Sequence, residues 1–159
     1  MKRYGIMPAI ALFSLAFTAC KSTQQGGAPK GKLVTTMSVA PQIGAEKPVM
    51  LHFVVYNPTK TELQFCKWHT PFEGFMSSFL DVKTAGGQPV DYRGAMAKRI
   101  MPPPAEAYIK VPARDSVSVD IDLSKGYNLA APGLYSATYQ ASGMSGLEKV
   151  NDITFTITR

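Results

Sequence analysis

The side chains best suited to nucleophilic or metal chemistry are few, and their spacing decides whether they can act together. Cys66 and His69 stand three residues apart in Phe65-Cys66-Lys67-Trp68-His69, a segment that reads as strand. Three steps along a strand place side chains on opposite faces, so a thiolate-imidazole pair from these two is badly oriented for nucleophilic attack. Cys66 is expected as a small buried hydrophobe. His52 lies among apolar neighbours, where a hydrogen-bonded structural imidazole is expected, since a zinc or copper site needs clustered ligands. Asp120 and Asp122 share one strand face, as a cation grip or as solvated alternation; the second reading needs no further assumption. Met37, Met50, Met76, Met96, Met101 and Met144 lack the tight Met/His spacing of a copper handler and suit gap-filling in a core. No HExxH, GxSxG or Gly-rich phosphate loop occurs. The chain is therefore expected to be no enzyme, with no catalytic residue, no metal ligand and no cofactor.

The amino terminus carries a different kind of chemistry. Lys2 and Arg3 precede an apolar stretch, residues 6–18, that leads through small residues to Cys20. This is the pattern of an export signal. The stretch is shorter than the roughly 20 residues a spanning helix needs, and it contains Pro8. Phe17-Thr18-Ala19-Cys20 resembles a lipobox, which implies cleavage before Cys20 and lipidation of its thiol, although Phe17 stands where leucine is preferred. Residues 1–19 thus read as a lipoprotein signal peptide and 20–32 as a flexible tether rich in Ser, Thr, Gln and Gly. Residues 33–159 read as one domain, exported and lipid-anchored in the cell envelope at the periplasmic face or outer membrane.

The formal net charge is +6, of which Lys2 and Arg3 supply two. The remaining cations are scattered, with no Lys/Arg run longer than two, which argues against a nucleic-acid partner. From residue 33 onward the dominant period is two. Val117, Val119, Ile121 and Leu123 alternate with Ser116, Ser118, Asp120 and Asp122, and Ile153, Phe155 and Ile157 alternate with threonines. Such segments are strands with one wet face. Residues 49–56 are apolar at nearly every position, as in a central strand, and Asn57-Pro58-Thr59 is expected to turn them into a hairpin with 63–68. Further strands are expected at 33–39, 79–82, 90–93, 108–111 and 134–140. The fold class is all-β, an immunoglobulin-like antiparallel sandwich of about 7–9 strands. Pro132-Gly133-Leu134-Tyr135-Ser136-Ala137 resembles the opening of strand F in immunoglobulin domains, where a tyrosine hydroxyl caps the corner. Ala137 replaces the cysteine of that pattern.

One connection is long for a compact domain: residues 94–107, containing Lys98-Arg99 and then Pro102, Pro103 and Pro104. Loops of that length are functional or disordered as a rule. Three prolines stiffen the chain, so the loop is expected either to project Lys98 and Arg99 as a basic tip or simply to connect two strands.

The stretches Lys67-Trp68-His69-Thr70-Pro71-Phe72-Glu73-Gly74, Tyr92-Arg93-Gly94-Ala95-Met96-Ala97-Lys98-Arg99, Asp122-Leu123-Ser124 with Tyr127, and Pro132-Gly133-Leu134-Tyr135 together resemble the amino-terminal propeptide of bacterial deuterolysin-type zinc metallopeptidases. The likeness spans about residues 33–140. It implies a β-sandwich that covers a peptidase active-site cleft, here without the catalytic domain and its zinc site. The resemblance therefore implies an inhibitor or folding aid whose protein partner is a separately encoded peptidase of that type. The contact residues it implies are Trp68, His69, Thr70, Pro71, Tyr92, Arg93, Gly94, Met96, Lys98 and Arg99, with Lys98 suited to a specificity pocket. As a lone tryptophan in a strand, Trp68 reads first as buried core packing and only second as an exposed anchor. A structural or envelope-assembly lipoprotein, and a periplasmic metal handler, are the competing function classes.

Overall fold

A computed structural model describes residues 33–159. The signal peptide, Cys20 and the tether expected at 20–32 lie outside the described residues. Nine strands follow in order: β1 (Val34–Ser38), β2 (Gln42–Gly44), β3 (Met50–Tyr56), β4 (Leu63–Cys66), β5 (Leu80–Thr84), β6 (Tyr108–Val111), β7 (Ser116–Asp122), β8 (Gly133–Tyr139) and β9 (Ile153–Thr158). They form a three-stranded sheet β1-β3-β7, a four-stranded sheet β2-β9-β8-β5 and a two-stranded ribbon β4-β6. The all-β sandwich read from the period-two pattern is what forms. Among the described residues no helix is long and apolar enough to cross a membrane.

The alternation in the sequence maps directly onto the layers. In β3 the residues Leu51, Phe53 and Val55 are fully buried while Met50, His52 and Tyr56 face out. Ile153, Phe155 and Ile157 of β9 and Tyr135 and Ala137 of β8 enter the same core. Removing that much aromatic and branched aliphatic surface from water is the main stabilising term, at roughly 25 cal/mol for each Å² buried. The near-continuous apolar character of residues 49–56 reflects a central strand, but its outer row is wet. His52 accordingly stands half-exposed, its Nδ1 2.7 Å from Asp120 Oδ1 on the neighbouring strand.

Four expectations need correction. The hairpin of 49–56 with 63–68 does not form: β3 pairs with β1 and β7, whereas β4 pairs with β6. Buried Asn57 explains the change of sheet. Its side-chain amide donates to Thr61 O and Val111 O, and its backbone N–H to Asp115 O, so the chain is passed across rather than folded back. The sandwich is not wholly antiparallel, because β2 joins β9 in parallel. Residues 90–93 form no strand and make a single isolated bridge, Tyr92 with Tyr127; the neighbouring Pro89 makes another, with Lys83. The strand expected at 63–68 stops at Cys66, where a tight turn begins.

Tyr135 is a buried core aromatic whose hydroxyl also reaches the backbone upstream. Its ring stacks on Phe155 at 5.6 Å, and its hydroxyl donates to Ala131 O at 2.6 Å, four residues upstream. That bond pins the loop entering β8. Tyr135→Phe is expected to keep the fold and lose about 1 kcal/mol of unfolding free energy, measured as a lower urea midpoint with an unchanged m-value.

Candidate functional site

Two of the segments implicated by resemblance, 67–74 and 92–99, meet at one end of the β4-β6 ribbon, and a turn organises them. After β4, Lys67 N–H donates to Ala107 O, and Thr70 returns both its N–H and its hydroxyl to Lys67 O. Thr70 then caps a one-turn 3-10 helix, Pro71–Glu73, by accepting the Phe72 N–H, and Pro71 supplies its fixed φ at the first position. Gly74 ends the turn at φ 70°, where a side chain would be strained. His69 also has a positive φ, 57°, an unusual conformation for a residue with a Cβ. Two bonds hold it there: its N–H to Glu73 Oε1 at 2.8 Å and its C=O to the Tyr139 hydroxyl at 3.2 Å.

Glu73 is the hub of this region. One carboxylate oxygen accepts from the His69 N–H and the Ser77 hydroxyl, and the other pairs with Arg99. The Glu73 side chain is only 7% exposed and that of Arg99 18%. The Arg99 guanidinium lies over the Trp68 ring, 4.8 Å from its centroid. Its buried Nε–H has no hydrogen-bond acceptor among the described residues, so the π face is its compensation. Trp68 packs with buried Cys66 and Ala107 and with partly buried Tyr108 and Met144. Burial pushes the Cys66 thiol pKa up, against a smaller opposing effect of a backbone hydrogen bond at Trp68. It is a buried, protonated thiol with no disulfide partner among the described residues.

The long loop is strapped to this hub. At its root the Arg93 N–H donates to Gly126 O, and Gly94 passes so close to Tyr92 and Phe75 that a Cβ there would stand 2.7 Å from Phe75 Cβ and strike the Tyr92 hydroxyl. Phe75 likewise fills the space a side chain at Gly126 would need. Ala95 N–H then donates to Phe75 O at 2.8 Å and Ala97 N–H to Met76 O at 2.9 Å, while the Tyr92 hydroxyl donates to Ala95 O. Burial, with smaller contributions from Tyr127 and Glu73, pushes the Tyr92 pKa up to about 12, so this phenol remains a donor at neutral pH. From 96 to 100 exposure alternates. Ala97 and Arg99 face the domain, and Met96, Lys98 and Ile100 face solvent, Met96 at 75% and Ile100 at 86% exposed.

The contact residues implied by resemblance therefore divide. Lys98 and Met96 stand at an open surface, and His69 is partly buried. Trp68, Thr70 and Pro71 are buried, and Gly94 is part of the loop's root. Tyr92 is partly buried as a strut, and exposed Arg93 turns toward a cleft lined by Glu46, Lys47 and Asn128, away from the loop tip. The paired basic tip expected of Lys98 with Arg99 is not what forms, because the Glu73 carboxylate and the Trp68 face draw Arg99 inward. Glu73 and Phe75 were missed as site-forming residues. Thr70-Pro71-Phe72-Glu73 has the spacing of a capping box, and that signal was available in the sequence. Among the described residues no group of three or more His, Cys, Asp or Glu side chains is placed to hold a metal ion.

No protein-family model matches the chain. Over 96 residues it is 31% identical to an extracellular protease of Aeromonas hydrophila, a match that takes in 60% of this chain and 27% of that protein. The chain is thus a distant relative of part of an extracellular protease, and the match spans about a quarter of that relative's length.

Breaking the hub leaves a largely buried charge unpaired. Glu73→Ala is expected to lower unfolding free energy by about 3 kcal/mol, and Arg99→Ala by less, since Glu73 retains two other donors. A double-mutant cycle in urea should show a coupling of about 1–3 kcal/mol between them, and either single change should speed amide exchange at Ala97.

Proposed function

We propose that this protein is an exported, lipid-anchored binding module that acts as a propeptide-like inhibitor or folding aid of a separately encoded zinc metallopeptidase of deuterolysin type. The observation that carries the reading is the 31% identity to part of an extracellular protease, joined to the resemblance of the 67–74 and 92–99 segments to a peptidase propeptide. The geometry supplies a means. A loop held by Glu73, Phe75 and Tyr92 is ordered by folding, so contacts at its exposed row appear as affinity instead of offsetting a loss of loop entropy. Inhibition of this kind needs no reactive group in the domain. Cys20 supplies the anchor in this reading, with the tether holding the domain away from the membrane.

The test is a titration of the protein, expressed from its full-length sequence, into a mature deuterolysin-type zinc peptidase while cleavage of a lysine-containing peptide is followed. Inhibition saturating near one equivalent is expected. A peptidase that ignores or digests the domain would leave the relationship as one of ancestry and favour an envelope-assembly role. Separately, Cys20→Ser is expected to move the protein from the membrane fraction to the soluble fraction of the exporting cell.

A further inference from the structure

Residues 95–100 run beside Phe75 and Met76, held by two backbone hydrogen bonds without a β-bridge between them. The N–H groups of Ala95 and Ala97 are taken by Phe75 O and Met76 O. In an extended chain successive amides point to opposite sides, so those of Met96 and Lys98 point away from Phe75 and Met76. Among the described residues neither the N–H nor the C=O of Met96 or Lys98 has a hydrogen-bond partner. One lateral edge of the segment is therefore tied to the domain at Ala95 and Ala97, and the other is open at Met96 and Lys98. The inward row, Ala97 and Arg99, is fixed to the domain, Arg99 through Glu73 and Trp68. The outward row reads apolar, cationic, apolar: Met96, Lys98 and Ile100, with Met101 and Met76 exposed beside it at 62% and 42%. Lys98 has no ion-pair partner among the described residues.

Resting on the inhibitor reading, we infer that residues 96–100 bind by strand addition: an extended segment lining the peptidase's cleft pairs with the backbone of Met96 and Lys98. The outward row defines the chemistry of that cleft. It offers an acidic pocket for Lys98 between two apolar subsites, each roughly 7 Å away, the spacing of alternate residues on a strand. Two other occupants fit less well. A second copy paired antiparallel through the same segment would bring two Lys98 side chains onto one face, where like charges repel. A lipid surface would accept the apolar row and the lysine, but would leave the open amides and carbonyls without partners.

The experiment compares variants of the full-length protein in the same peptidase titration, with folding checked by circular dichroism and thermal midpoint. Lys98→Pro deletes one open N–H, and Met96→Asp with Ile100→Asp alters only exposed side chains. Each is expected to weaken inhibition at least about tenfold, the effect of losing roughly 1.4 kcal/mol. Lys125→Ala, at an exposed lysine elsewhere, should leave it unchanged. In the complex, amide exchange should slow at Met96 and Lys98. Wild-type inhibition with undiminished inhibition by both loop variants would overturn strand addition while leaving the inhibitor reading intact. Loss of inhibition without slowed exchange at 96 and 98 would also overturn it, reducing the loop to side-chain docking. If the wild type leaves the peptidase active and instead sediments with anionic phospholipid vesicles, both readings fall and the loop is a membrane contact.

Discussion

A carboxylate removed from water has to be surrounded by donors, and Glu73 meets that requirement with a backbone N–H and a hydroxyl four residues to either side and a guanidinium from the long loop. Everything at this end of the domain follows from that demand. The N–H comes from His69 only because His69 adopts a positive φ; the hydroxyl comes from Ser77, which is buried; and the guanidinium comes from Arg99, twenty-six residues away. Desolvating an ion pair is offset only when its remaining hydrogen-bonding groups are matched. The Trp68 face beneath Arg99 and the several donors on Glu73 provide that matching. The hub is consequently a device for fixing geometry rather than a large source of net stability.

Fixing that geometry orders the long loop without burying it. Phe75 contributes from the other side, occupying space left by the missing side chains of Gly94 and Gly126 while its carbonyl receives Ala95. Its ring stacks on Phe79 and meets Tyr127 edge-on, so the loop root is continuous with the main core. On the opposite flank, Phe72 lies against Phe65 and Phe53. Interiors packed at this density transmit a displacement instead of absorbing it, which makes the position of the loop a property of the whole sandwich.

Much of the fold was legible in the sequence because burial on one face of a sheet imposes a period of two, and β7, β8 and β9 carry that period plainly. Pairing was less legible. Nothing in the apolar run of β3 distinguishes a hairpin with β4 from a crossing to a different sheet; that choice rests on Asn57, whose buried amide bridges Thr61 and Val111. The three-residue β2 is too short to show a period, and its parallel pairing with β9 is a tertiary event. Within the site, the long loop and exposed Lys98 could be read from length, prolines and charge. The fate of Arg99 could not. Two adjacent cations look alike in sequence, and only the alternation of an extended chain, with Trp68 and Glu73 beneath it, sends one inward and leaves the other in water.

That alternation separates two kinds of constraint along five consecutive residues. Ala97 and Arg99 answer to the domain: a larger group at 97 or an uncharged one at 99 disturbs contacts made inside this chain. Met96, Lys98 and Ile100 make little contact with it, so their identities have small consequences for stability, of the order of ±0.5 kcal/mol for exposed positions. Three prolines and three exposed apolar side chains, Met96, Ile100 and Met101, are an unfavourable choice for a loop whose sole task is to connect β5 with β6, where polar residues would serve as well. On the proposed inhibitor reading, this exposed row, which the fold does not need, is the part that meets the partner. In that reading the loop's attachment to the domain has a thermodynamic use, because a loop already ordered would lose little entropy when a partner strand is added to it.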